Sequence, residues 1–350
     1  MPRLVVLLLL AALITTLQPR LSDHGLTLLA QAAADEDDDD DDDDDDDGPS
    51  VRVQPRRAVP VRAPLPLPQR APDEIIARGI SEADLAQLLS EGFEQIEQRD
   101  LVQGDSLRRL RKPERLTLDA ARAVVREHAS AASADFNHFY RTEQAGSEAN
   151  TSCSEDLCLA RQVIGWQPPS GCGSLPRIGM VDTGVNIEHE TFAGVRLRMH
   201  SLDRAQTRHA ASDTLHGTAV AALLVGAPHS RSPGLVPGAE LVAVDAFVRA
   251  GEDQRSDAFT LIAALDWLGA QDLRLINLSL AGPPNEELAR EIATLIGRDI
   301  LIVAAAGNLG PRAAPAYPAA YDNVLAVTAV DRRKQIYHRA GRGPHIDLSA

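Results

Sequence analysis

Thr214-Leu215-His216-Gly217-Thr218-Ala219-Val220-Ala221-Ala222-Leu223-Leu224 places one histidine at the head of an apolar run. The run is rich in Ala and Leu and reads as a helix over 216–225 that passes through a core. Imidazole titrates near neutral pH, so a histidine there can take a proton and return it. Gly217 reads as room for a substrate backbone beside the ring. Alone, a histidine on an apolar helix is ordinarily a packed core residue. Its company changes the reading. An Asp182-Thr183-Gly184 turn lies upstream and an Ala306-Gly307-Asn308 turn downstream, each closing a strand-like run.

Outward from that helix, short apolar strands alternate with helices. Strands are expected at 177–181, 196–200, 240–248, 273–280, 300–306 and 323–330. Helices are expected at 256–270, with Leu261, Ile262, Leu265 and Leu268 on one face, and after Asn285, with Leu288, Ile292, Leu295 and Ile296 inward. Strands apolar throughout, alternating with helices, mean a doubly wound parallel α/β sheet covered on both faces. Ligands of such sheets collect at the carboxyl ends of the strands. Asp182, His216 and Asn308 all fall there. A carboxylate beside imidazole fixes its tautomer, and an Asn amide can donate to a developing oxyanion.

Residues 73–142 read as a small separate α+β domain. A strand at 74–80 is followed by a helix capped by Ser81, with Leu85, Leu88 and Leu89 inward, and ended by Gly92. Two strand-like runs flank the Gly104-Asp105 turn, Thr117 caps a second helix, and 134–141 is a last strand. The order β-α-β-β-α-β suits a ferredoxin-like four-stranded antiparallel sheet with two helices on one face.

The remaining segments are compositional. Residues 1–34 read as an export signal: Arg3, then an apolar core over 4–17 too short to span a bilayer, then small residues at 30–34. This implies a secreted or periplasmic protein without a stable membrane span. Residues 35–72 read as a disordered spacer. It opens with the unbroken acidic run Asp35–Asp47 and continues with Pro interleaved with Arg. That run accounts for thirteen of the fifteen net negative charges of the 350 residues. The rest is near neutral, with no basic patch for nucleic acid. Residues 143–174 read as an exposed junction holding Cys153, Cys158 and Cys172. Three cysteines allow at most one bridge within the chain, and no histidine joins them to make a metal pattern.

The linked set Val181-Asp182-Thr183-Gly184, His216-Gly217-Thr218, Asn277-Leu278-Ser279-Leu280 and Ala304-Ala305-Ala306-Gly307-Asn308 resembles the subtilisin-like serine proteases, in order and spacing, over roughly 175–350. The resemblance implies peptide-bond hydrolysis. Asp182 would be the orienting acid, His216 the general base and Asn308 the oxyanion donor. Ser279-Leu280-Ala281 would pair with substrate backbone, and Ala305-Ala306-Gly307 would form the facing wall of the primary pocket. Polypeptides would be the substrates, with no cofactor required. Residues 73–142 would be the family's propeptide, an intramolecular inhibitor whose last strand, near Tyr140-Arg141, lies in the cleft.

The sequence also departs from the family. No Gly-Thr-Ser motif for the nucleophilic serine occurs, which implies a fragment of a longer product, inactive as it stands and exposing apolar surface. Ala281 stands where the family commonly has Gly and narrows the pocket. The loop 226–234, where some relatives hold calcium, has no Asp, Glu or Asn, so the sequence does not support calcium at that loop. A non-catalytic secreted peptide-binding protein derived from a protease is the alternative.

Overall fold

The structure is a computed structural model that describes residues 66–102, 104–128, 133–143, 164–166, 175–202, 209–331 and 333–350. The expected signal, the acidic run and the three cysteines lie outside the described residues.

The amino-terminal lobe runs β1 (Arg70–Arg78), α1 (Glu82–Ser90), β2 (Glu94–Asp100), β3 (Ser106–Arg111), α2 (Leu118–His128) and β4 (Ala134–Thr142). Its strands pair antiparallel in the order β2-β3-β1-β4. Ser81 Oγ accepts from Asp84 N and Thr117 Oγ1 from Ala120 N, closing the helix starts as expected. Gly92 follows α1 at φ +94°, a left-handed position that ends the helix. Leu85 and Leu88 are buried, but Leu89, expected inward, is exposed. β1 also begins four residues before the expected strand. Pro72 is accommodated where the β1–β4 register shifts between Arg70 and Ile75.

β1 is apolar on both faces because both faces are covered. Ile75 and Ala77 pack with the lobe's own helices, alongside Leu85, Leu88, Ala121 and Val125. Ile76 points the other way, into the main core of the carboxy-terminal lobe, together with Leu101, Leu107 and Tyr140.

That second lobe contains β5 (Arg177–Asp182), β6 (Arg196–Ser201), β7 (Ala210–Ala211), α3 (Leu215–Val225), β8 (Glu240–Asp245), β9 (Val248–Ala250), β10 (Asp253–Asp257) and α4 (Ala258–Gly269). It continues with β11 (Leu275–Leu278), β12 (Leu280–Ala281), α5 (Glu286–Gly297), β13 (Leu301–Ala305), β14 (Leu325–Thr328) and β15 (Leu348–Ser349). Seven strands form a parallel sheet ordered β15-β14-β13-β11-β5-β8-β6. Ile178, Met180, Leu241 and Ala243 face α3 on one side. Val242, Val244, Ile276 and Ile302 face α4 and α5 on the other. This is the doubly wound sheet the apolar strands implied.

Two features differ from the sequence reading. α3 is buried only along Gly217, Ala221, Ala222 and Val225, while Leu215 and Leu223 are exposed by 81% and 50%. The helix expected from Ser256 begins at Ala258, because Asp253–Asp257 is a strand that forms a hairpin with β9.

The lobes meet through polar anchors set in apolar packing. Asp135 Oδ2 accepts from Glu286 N at the start of α5, and Asn137 Oδ1 accepts from Phe259 N at the start of α4. Arg78, buried on β1, reaches Glu291 Oε2 at 2.7 Å and Glu287 Oε2 at 3.5 Å. Both carboxyls are fully buried, and burial raises the pKa of each above the ordinary Glu value despite the guanidinium between them.

Candidate active site

β5 ends on Asp182, which the sheet's carboxyl edge presents beside the start of α3. His216 Nδ1 lies 2.6 Å from Asp182 Oδ1, which also accepts from Thr183 N at 2.7 Å. Asp182 is fully buried, and the His216 side chain is only 15% exposed. Burial disfavours the imidazolium, but the Asp182 hydrogen bond and charge overcome it, so the pKa of His216 is raised above its ordinary value. A carboxylate oxygen accepts, so the ring's Nδ1 is the donor to Asp182 and Nε2 is the other ring nitrogen.

Gly217 is what allows this approach, for a reason other than the expected one. A Cβ there would lie 2.5 Å from Thr183 O and 2.6 Å from Gly184 O. The space beside residue 217 is therefore filled by the Asp182 turn, not left for a substrate. Thr183 Oγ1 completes the lock by accepting from Gly217 N at 2.9 Å. A second carboxylate, which the sequence reading did not single out, supports the same turn. Ser212 Oγ donates to Asp245 Oδ1 at 3.1 Å and accepts from Gly184 N at 2.9 Å. Asp245 could have been found as the last residue of the strand neighbouring β5, register-paired with Asp182.

The other expected residues sit at the same level of the sheet. Leu278 of β11 pairs with Val181 of β5 and with Ala304 of β13, so Asp182, Ser279 and Ala305 end adjacent strands in step. Asn308 follows on the loop after β13, where its carbonyl accepts from Arg339 Nε at 3.3 Å. Ala306 N bonds to Val327 O and Gly341 N to Gly307 O, so the 305–307 segment is held on its outer side. Asp182 and His216 are thus in direct contact, and Asn308 and Ala305–Gly307 lie along the same edge.

Ser279–Ala281 is paired with an extended peptide, and that peptide is the end of β4. Leu280 pairs with Thr142 and Ala281 with Arg141, while Glu143 N donates to Ser279 O at 3.3 Å. On its other side β4 pairs with β10, Tyr140 against Ser256 and Phe139 against Asp257. The cleft is therefore lined by two strands with a third laid antiparallel between them. Tyr140 is fully buried with its hydroxyl on Pro283 O, and Arg141 makes a two-pronged pair with Asp253. Just beyond lies Glu143, whose main chain is among the groups that favour the charged His216 ring. Among the described residues no cluster of three His, Cys, Asp or Glu side chains could hold a metal ion, and no helix is long and apolar enough to cross a membrane.

A parallel α/β sheet with a buried Asp–His pair at its carboxyl edge, beside an edge strand paired with the chain's own β4, defines a class of α/β proteins. Within it, a model of the subtilase family matches residues 173–350, and the chain belongs to that family. It is 29% identical to subtilisin BL of Lederbergia lenta over 180 residues, 51% of this chain and 64% of that protein. It is 31% identical to the minor extracellular protease Epr of Bacillus subtilis over 141 residues, 39% of this chain and 21% of that one. The chain thus spans less than two thirds of these relatives. Fervidolysin of Fervidobacterium pennivorans, a keratinolytic enzyme related to subtilisin, shares the fold at a TM-score of 0.60 and 13% identity, over 82% of this chain and 48% of that chain. The epidermin leader peptide processing serine protease of Staphylococcus aureus does so at 0.53 and 15%, over 79% and 75%. The expected subtilisin-like α/β fold is the fold of this chain.

Proposed function

We propose that this chain belongs to an exported subtilisin-like serine endopeptidase precursor whose nucleophilic serine lies carboxy-terminal to Ala350 in the complete gene product. Asp182 orients and charges His216. His216 Nε2 takes the serine proton as the serine attacks a peptide carbonyl, then gives it to the departing amine. The Asn308 amide donates to the oxyanion, Ser279–Ala281 binds substrate backbone as an added strand, and Ala305–Gly307 walls the primary pocket. No cofactor enters these steps. The amino-terminal lobe is the propeptide, which inhibits by occupying the cleft with β4. The observation that carries the reading is the 2.6 Å Asp182–His216 contact beside a peptide strand-paired to Leu280–Ala281.

A fluorophosphonate probe tests this reading on the complete gene product. The probe is expected to label one serine beyond residue 350 and to stop peptide hydrolysis. Peptide binding with neither labelling nor hydrolysis would mark a non-catalytic binding protein instead. Asn308→Ala is expected to lower kcat by about 10²–10³-fold with little change in KM; this magnitude is the one found in subtilisin itself, a relative. An unchanged kcat would remove Asn308 from the site.

A further inference from the structure

β4 leaves little freedom over which residue meets His216. Its register is fixed on both sides, Tyr140 to Ser256 and Thr142 to Leu280, and it is pinned by the Tyr140 hydroxyl and the Arg141–Asp253 pair. A slip by one residue would turn buried Tyr140 to the opposite face. Glu143 is therefore the residue delivered beside the imidazole, with its N–H on Ser279 O at 3.3 Å and its main chain among the groups that favour the charged ring. Its side chain is half-buried, and Oε2 is sealed from solvent with no hydrogen-bond partner. The charges acting on this carboxyl are His216 and Arg339, both of which stabilise its ionised form. Burial outweighs them and pushes its pKa up to about 7. Arg339 is itself fixed on the loop that carries Asn308, through Nε to Asn308 O at 3.3 Å and its own carbonyl to Gly310 N at 2.9 Å.

We propose that the pocket beside His216 takes an acidic side chain, that Glu143 is its first occupant, that the bond following Glu143 is cut to free the amino-terminal lobe, and that Arg339 selects the carboxylate. This rests on the proteolytic reading above. In the cut, the C–N bond after Glu143 breaks, water supplies hydroxyl to the Glu143 carbonyl carbon, and a proton goes to the nitrogen of Gln144. A pocket for apolar residues would leave a buried carboxylate no opposite charge; here Arg339 and His216 are the charges that favour its ionised form.

The test uses the complete gene product. Mass spectrometry of the released lobe should show Glu143 as its last residue. The processed enzyme is then given anilides of Tyr-Arg-Thr-Glu, Tyr-Arg-Thr-Gln and Tyr-Arg-Thr-Leu. The Glu peptide should exceed the Leu peptide by about tenfold in kcat/KM. Arg339→Gln should bring that ratio near one, mainly through KM on the Glu peptide, and Arg339→Lys should restore part of it. Should the Arg339 variants fail to fold, Glu143→Leu in the precursor decides, because release should slow by about tenfold. A lobe ending elsewhere, a Leu peptide cut as well as the Glu peptide, or unslowed release from Glu143→Leu would overturn the proposal while leaving the protease reading intact. Neither release nor cleavage of any peptide would reject the protease reading, and this proposal with it.

Discussion

Asp182→Asn in the complete gene product is expected to lower kcat for peptide hydrolysis by about 10⁴-fold, the size this change has in serine proteases built on the same triad. The cause is local. Asp182 Oδ1 accepts from His216 Nδ1 and from Thr183 N, and the residue is fully buried, so no water can replace the lost charge. An amide there no longer favours the imidazolium and can present N–H to Nδ1, which selects the wrong tautomer. The pH profile should move as well. His216 must be neutral to act as base, so activity falls as pH drops through its raised pKa. Without Asp182 the acid limb shifts to lower pH. The same pairing bears on stability: a raised histidine pKa contributes fully below about 6.5 and is lost as pH rises through the raised value. An acid limb that stays in place in Asp182→Asn would show that Asp182 does not charge the ring.

Arg78→Met is expected to cost about 3–5 kcal/mol in the stability of the docked lobes at neutral pH, read by thermal or urea unfolding. Arg78 is the cation hydrogen-bonded to Glu291 and ion-paired with Glu287, both of which have no exposed surface. Removing it strands two carboxyls that already carry raised pKa values. For a carboxyl raised on docking, the favourable contribution is present below its ordinary pKa and fades as pH rises through the raised one. Docking should therefore weaken as pH rises in the wild type, and more steeply in Arg78→Met. Adding Glu287→Leu and Glu291→Leu to Arg78→Met should recover most of the loss, because apolar groups of similar volume need no counter-charge. A triple variant as unstable as Arg78→Met would locate the effect in backbone packing instead.

The parallel sheet was legible because its strands are apolar throughout: Ile178-Gly179-Met180-Val181 is buried on both faces, and Leu301-Ile302-Val303-Ala304 is buried on one face and half-buried on the other. The small lobe was legible in its caps and turns, Ser81, Gly92 and Thr117, which act within a few residues. What the sequence hid depends on partners far along the chain. β10, Asp253-Gln254-Arg255-Ser256-Asp257, has no strand pattern and is a strand because β9 pairs with its first half and β4 with its second. The Gly251-Glu252 turn before it was the available signal. Arg78, Glu287 and Glu291 carry no local signal of burial, and they are buried against one another. Gly217 reads as room for a substrate backbone, whereas a Cβ there meets Thr183 and Gly184 of the chain itself. Leu215 and Leu223 were expected in a core because an unbroken apolar run does not say which of its faces is covered.

The central claim is that the Asp182–His216 pair hydrolyses the chain seated across it. It is tested most directly by the intact mass of the complete gene product, purified free of other proteases, as wild type and as His216→Ala. The wild type is expected to separate into an amino-terminal lobe and a processed enzyme, while His216→Ala is expected to remain one uncut chain with the same fold. A His216→Ala protein that still separates at the same bond would contradict it.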